Sequence, residues 1–241
     1  MNETDCASMN EHISKRFDLE LERLRTDVLH MGGLVEQQVS NALQAFYAGN
    51  IAELERIVLK DVEVDRLEVE LDEACNQTIA KRQPTAIDLR MIITVMKSIG
   101  DLERIGDKAH KIARIGIVLH SQHSGFVPDV DLRHMAEQSL KMLRIALDAF
   151  ARLDVSGAAQ VVHQDERVNA EYGAVVRQII TFMMEDPRTI SRSLDLLKIA
   201  KAIERVGDHA RNIAEYVIYM VKGLNVRHAS PEEISARLNQ D

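Results

Sequence analysis

One eleven-residue string occurs twice in this chain, and no other feature constrains the fold as tightly. Residues 103–113 read ERIGDKAHKIA and residues 204–214 read ERVGDHARNIA, identical at seven of eleven positions. The likeness extends upstream. Residues 42–46, ALQAF, match residues 146–150, ALDAF, and residues 61–65, DVEVD, align with residues 165–169, DERVN. A spacing of 101 to 104 residues between corresponding segments describes a unit written twice,. Two unrelated acidic helices alike in composition would not share ERxGD at matching places, so internal duplication is the simpler account.

Hydrophobic spacing says what the unit is. Phe17, Leu21, Leu24, Val28, Met31 and Val35 recur alternately four and three residues apart, the seam of a helix packed lengthwise on others,. This predicts a first helix over residues 14–48, stopped at Gly49-Asn50, which tolerate the left-handed backbone of a helix end,. A second helix runs to residue 82 before Pro84, and a third covers residues 85–120,. Residues 121–129, SQHSGFVPD, form the linker,. The second unit repeats the plan: a helix over 130–153, a breaker at 154–157 whose Ser156-Gly157 answers Gly49-Asn50, a helix to 185, a stop at Asp186-Pro187, where Pro187 answers Pro84, and a helix over 189–222. The expected fold is all-α: two tandem three-helix bundles, residues 14–120 and 130–222, then a C-terminal tail over 223–241,. Helices of some 30 residues would be about 45 Å long at 1.5 Å per residue, giving an elongated molecule.

Composition agrees. Of 241 residues 46% are hydrophobic, 28% charged and 4% aromatic, with no Trp and only four Pro, a mixture that suits long helices better than a turn-rich sandwich,. A net charge of −8 without a basic stripe argues against nucleic acid as the main partner,. Cys6 and Cys75 form no CxxC, which fits a reducing cytoplasm and suggests neither a disulfide framework nor a zinc–thiolate site,. The first eleven residues are polar and acidic, so no signal peptide is expected, and the longest apolar runs, near 91–96 and 216–221, fall far short of a span of roughly 20 residues,.

The repeated string carries the candidate chemistry. Glu103 and Asp107 sit four residues apart and share one helix face, as do Glu204 and Asp208,. Like charges at that spacing destabilise a helix by about 0.2–0.5 kcal/mol, so each pair invites a cation. Between the acids lies Gly106 or Gly207, which costs about 1 kcal/mol relative to alanine inside a helix. Small residues continue that face, Ala109 and Ala113 in one unit and Ala210 and Ala214 in the other, and predict a tight helix–helix seam,. Asp61, Asp65 and Asp165 on the second helix of each unit could add oxygen ligands, a set suited to iron, manganese, magnesium or zinc,. The plain alternative is a solvated charged face, since Arg104 and Arg205 lie beside the acids,. Asp107 and His110 have a DxxH spacing, but the histidines of the two units are out of register. His110 and His209 are therefore expected to face solvent, and the methionines to fill core,.

Two three-helix repeats, each ending in a helix with E-R-[IV]-G-D-x-A-x-x-I-A, resemble the PhoU family of bacterial phosphate-specific transport over residues 14–228. The stretch 216–228, YVIYMVKGLNVRH, is also similar to the family's end. The resemblance implies transition metals held by the acids of both repeats, here Glu103, Asp107, Glu204 and Asp208, with Asp61, Asp65 and Asp165 at the further acidic positions. It also implies a cytoplasmic, non-enzymatic homodimer that acts with a phosphate ABC transporter and a histidine sensor kinase, touches the membrane only through those proteins, and keeps the phosphate-starvation response repressed. The chain departs from the pattern at Asn169, where the matching Asp65 is charged, and at Lys111, which stands against Asn212.

Two other functions compete. A ferritin-like di-iron oxidase needs Glu-x-x-His on two helices of a bundle, and the chain has no Glu-x-x-His,. A metal-free helical adaptor shares the fold and differs only in what its acids bind. No Gly-rich phosphate loop, Ser-His-Asp set or nucleophilic Cys is present for phosphate chemistry,.

Overall fold

The computed structural model describes residues 3–121, 128–227 and 229–238; side chains of residues 3–14 and 61 are outside the description. The helices are α1 (Glu3–Ala48), α2 (Ile51–Arg82), α3 (Ala86–Ser121), α4 (Arg133–Arg152), α5 (Val155–Glu185), α6 (Ile190–Lys222) and α7 (Pro231–Leu238), with a 3₁₀ turn over Pro187–Thr189. No strand occurs among the described residues, and no helix is long and apolar enough to cross a membrane. Most of the expected linker, residues 122–127, lies outside the described residues, as does His228.

The seam read from the sequence is the core. Leu21, Leu24, Val28, Met31, Val35, Val39 and Ala42 of α1 are all buried, as a heptad-like stripe packed against two neighbours must be. α1 begins at Glu3 rather than at residue 14. Gly49 ends α1 with φ +64°, and the side chain of Asn50 accepts the backbone N–H of Glu53 to start α2,. The second repeat makes the same turn three residues earlier than expected. Leu153 takes the left-handed backbone at φ +56° and Asp154 caps α5 through the Ser156 N–H. Leu153-Asp154 is thus the counterpart of Gly49-Asn50, and Ser156-Gly157 belongs to the helix rather than to the breaker. The expected breaker was misplaced because a leucine gives no sequence sign of a left-handed turn.

The two triplets lie side by side. α3 and α6 make the most extensive helix–helix contact of the molecule, and α1 packs on α4. Glu36 accepts Arg144 Nε at 2.6 Å, and Arg25 reaches the carbonyl of Ala151, both between α1 and α4. Gly32 makes that crossing close: a Cβ there would lie 2.5 Å from Leu147 Cδ2. One continuous apolar core runs through both repeats. Cys75 is part of it, its thiol pushed up to about 12 by burial and by Asp72.

The segment after α6 is more than a tail. α7 packs on α5, with His163 Nε2 3.1 Å from Ser235 Oγ. It starts with a capping box, Ser230 Oγ accepting the Glu233 N–H while Glu233 Oε2 accepts the Ser230 N–H,.

Candidate functional site

In the first repeat α2 and α3 place three further carboxylates within electrostatic reach of Glu103. Asp65 and Glu68 come from α2, three residues apart, and Glu103 and Asp107 from α3, four apart. Glu103 is half-buried, and its carboxyl is raised above the usual range by burial and then by Asp107, Glu68 and Asp65, with Lys108 opposing,. Asp61 lies on α2 one turn before Asp65, and its side chain is outside the described residues. Glu68 was not anticipated, although its place three residues after Asp65 puts it on the same face.

The second repeat has the corresponding acids but a different electrostatic solution. Asp165 on α5 and Glu204 on α6 are buried, and Asp208 is half-buried. Asp165 Oδ2 accepts Arg211 Nη1 at 3.0 Å and Asn169 Nδ2 at 3.1 Å. Burial raises its carboxyl, and Arg211 works against that. Glu204 Oε1 accepts Lys201 Nζ, and Asp208 Oδ2 accepts Arg205 Nη1 at 2.8 Å. Arg211 also reaches Glu215 Oε1 at 2.9 Å. Lys201 and Arg211 stand where the first repeat has Gly100 and His110. The acids of the second repeat therefore meet two cations, Lys201 and Arg211, at positions where the first repeat has no lysine or arginine.

Whether these residues fit a cation can be judged on their oxygens. The donors are carboxylates, which suit hard and borderline divalent ions. Asp165 Oδ1 and Glu204 Oε2 are buried without a hydrogen-bond partner, and Glu204 Oε2 has only the longer ion pair to Arg205 Nε at 3.8 Å, so both oxygens have lone pairs that no hydrogen bond uses. The like charges around Glu103 point the same way. Among the described residues no three His, Cys, Asp or Glu side chains stand close enough to hold an ion as they are. The residues fit a metal by chemistry, and in the first repeat by charge as well.

Gly207 does not have the role expected of it. A Cβ there would meet Met142, Ser139 and Val168 at 3.6 Å, ordinary contact, so no close backbone approach demands glycine at that position. His209 also departs from expectation: its side chain is only 12% exposed. Its Nδ1 lies 2.7 Å from Oδ1 of Asp101, and the same oxygen accepts Asn212 Nδ2 at 3.0 Å. With Asp101 on α3 and both partners on α6, the network joins the repeats. It also explains why Asn212 replaces the lysine found at position 111. His110 is half-buried and lines a groove between α3 and α6 with Asp107.

The chain matches the family model for the PhoU domain twice, over residues 28–116 and 132–217. It is 44% identical over 235 residues to the phosphate-specific transport system accessory protein PhoU of Escherichia coli (strain K12), with 97% of each chain covered. It is 46% identical over 221 residues to the corresponding PhoU homolog of Pseudomonas aeruginosa, covering 92% of this chain and 91% of that one. The crystal structure of PhoU from Pseudomonas aeruginosa superposes with a TM-score of 0.83 at 45% identity, over 86% of this chain and all of that one. The phosphate transport system regulatory protein PhoU from Streptococcus pneumoniae gives 0.80 at 32% identity, over 87% and 99%. Duplicated helix triplets, paired ERxGD motifs in register and near full-length identity together place this chain in the PhoU family.

Proposed function

We propose that this chain is the accessory regulator of a phosphate-specific transport system, a binding protein rather than an enzyme. The observation that carries this reading is identity above 40% along almost the whole length to proteins named for that role. In the finer reading it acts in the cytoplasm as a homodimer, engages a phosphate ABC transporter and a histidine sensor kinase, and holds the phosphate-starvation response off when phosphate is plentiful. The fold suits such work: long helices expose extended faces, including Leu59, Val62 and Val69 on α2, and amphipathic faces are a common docking mode.

A cation belongs to the same reading. Glu103, Asp107, Asp65 and Asp61 in the first repeat, and Glu204, Asp208 and Asp165 in the second, would hold iron, zinc, manganese or magnesium. The bound ion would supply positive charge that fixes α2 to α3 and α5 to α6 and so shapes the surface offered to partners. The first repeat is the stronger candidate, because Lys201, Arg205 and Arg211 already answer the acids of the second. That compensation is also what favours the metal-free adaptor as a second reading for the second repeat.

The test is recovery of partners from the host. Chemical cross-linking in cells grown with ample phosphate, followed by isolation of the untagged protein by antibody, should recover the ATPase subunit of the phosphate transporter and the sensor kinase. Recovery of neither would overturn the partner assignment.

A further inference from the structure

The second repeat covers two places that the first leaves bare. Asn50 and Asp154 cap equivalent helices, and Asp61 and Asp165 keep the same offset of 104 residues, so Leu59 of α2 answers His163 of α5. At His163 the chain's own α7 lies on α5, with Ser235 Oγ 3.1 Å from His163 Nε2 and with Pro231 and Ile234 buried. The chain after α3 runs on into α4 instead. Leu59 is left 78% exposed, Val62 71% and Val69 67%. Their spacing puts all three on one side of α2, the side turned away from its packing on α1 and α3,.

The second bare place adjoins that stripe. Between α2 and α3 a groove of about 330 Å³ is lined by Val69, Met96 and Ile99 and by Glu68, Asp72 and Glu73, with no lysine or arginine. A Cβ on Gly100, also in its wall, would meet nothing within 4 Å. In the second repeat Lys201 takes the position of Gly100 and Tyr172 that of Glu68, and the Lys201 ammonium stands 5.0 Å from the centre of the Tyr172 ring,. A lysine there fills what is open space in the first repeat.

The covered repeat is thus a template for what the bare one receives: a short helix across the outer face, and a lysine beside it. Charge agrees. By helical period Glu63 and Glu70 edge one side of the stripe and Asp65 and Asp72 the other, all four exposed, and the cation on this face, Arg66, is tied to Glu70 at 3.8 Å,. Such rails repel an anionic membrane and a second copy laid face to face, and they attract a helix bearing lysine or arginine. The α7 of another copy, with Glu232 and Glu233 in its first turn, has the wrong sign.

We infer that the Leu59–Val62–Val69 face of α2, with the groove at Gly100, docks a short basic amphipathic helix of a partner protein. The helix lays its apolar side on the stripe and a lysine or arginine in the groove. The inference rests on the reading of this chain as a binding protein and names the element that a partner presents. Asp65 belongs both to this edge and to the acids proposed to hold metal, so the two sites adjoin.

A fluorescein-labelled, amidated peptide with leucine on one helical face and lysine elsewhere tests the surface by fluorescence anisotropy on the full chain. It contains no His, Cys or acid, so a metal ion cannot bridge it. The wild type should bind it saturably, one per chain, and bind a scrambled peptide of the same composition about tenfold or more weakly. A twin with glutamate for lysine should not bind. Leu59→Ser with Val62→Ser should weaken binding about tenfold or more, the scale of losing two apolar contacts. Gly100→Lys, which installs the lysine of the second repeat, should do the same by filling the groove and answering its acids. Met184→Ser, at an exposed apolar residue of α5, should change nothing. In the host, a photo-crosslinking amino acid in place of Leu59 should join the chain to a segment of net positive charge with apolar residues three and four apart, mapped by mass spectrometry. Equal binding of the three peptides, binding unmoved by the α2 pair or by Gly100→Lys, or an oligomer that comes apart in those variants would overturn the inference. So would a cross-link to an acidic segment, a lipid or another copy of the chain, or none at all. The proposed function fails separately: a basic helix from a protein outside phosphate transport keeps this surface and overturns that reading.

Discussion

The acids of the two repeats share spacing and differ in company. Glu103 is crowded by Asp107, Glu68 and Asp65, whereas Glu204, Asp208 and Asp165 are answered by Lys201, Arg205 and Arg211. Glu103→Gln with Asp107→Asn should therefore remove most bound metal, and Glu204→Gln with Asp208→Asn much less. Replacing both Asp107 and Asp208 with alanine should leave little metal and unchanged helical circular dichroism, since no apolar core atom is lost. Quantitative elemental analysis of untagged protein checks both, and equal metal in all variants would remove these residues from any site. The acids themselves were readable because duplication marks them. Their partners were not, because Lys201 and Arg211 fall at positions where the repeats differ, and a sequence does not say which neighbour a cation will reach. Asp101 was missed for the same reason: its counterpart by position is Ala202, so nothing flagged a buried carboxylate bridging to His209 and Asn212. Asp101→Ala leaves those donors without their acceptor and should cost about 1–3 kcal/mol, read as a lower denaturant midpoint at constant slope.

At the scale of helices, capping and close approach decide what spacing alone does not. The six helices of the two repeats and their order were legible from period and from Pro84 and Pro187, because apolar seams and prolines act locally,. The left-handed Leu153 and the helix α7 were not read, although the Ser230-x-x-Glu233 signature marked the start of α7,. Adjacent glycines in α1 give a paired test. A Cβ on Gly33 would meet nothing within 4 Å, so Gly33→Ala should stabilise by up to about 1 kcal/mol through helix propensity. Gly32 lies against Leu147, so Gly32→Leu should overpack the α1–α4 crossing and destabilise by about 1–3 kcal/mol. Urea titrations measure both, and equal signs would contradict the packing described. Between α1 and α2, Arg82 holds the Glu20 carboxyl below its usual value through bonds of 2.6 and 2.9 Å. A lowered folded-state pKa contributes stability above the ordinary carboxyl value and loses it as pH falls through the folded value. Glu20→Gln should thus be less stable than wild type at neutral pH, by an amount that shrinks in salt and vanishes in acid. A difference that grew as pH fell would contradict the pairing.

Across the whole molecule, two triplets of one ancestry are locked side by side by α3 on α6 and α1 on α4, with polar ties at Asp101–His209 and Glu36–Arg144. A continuous core makes them one body. The sequence could announce two like units; it could not say that they pack laterally, since that depends on faces such as Gly32 against Leu147 that meet only in the fold. Such a body, with long exposed helix faces and duplicated acidic pairs, suits the proposed reading of regulation by contact. The most direct measurement of that claim is a phosphate-starvation reporter in the host with this gene deleted. In phosphate-rich medium the reporter should be on in the deletion strain and off again when the wild-type gene is restored; output as low in the deletion strain as in the parent would contradict the account.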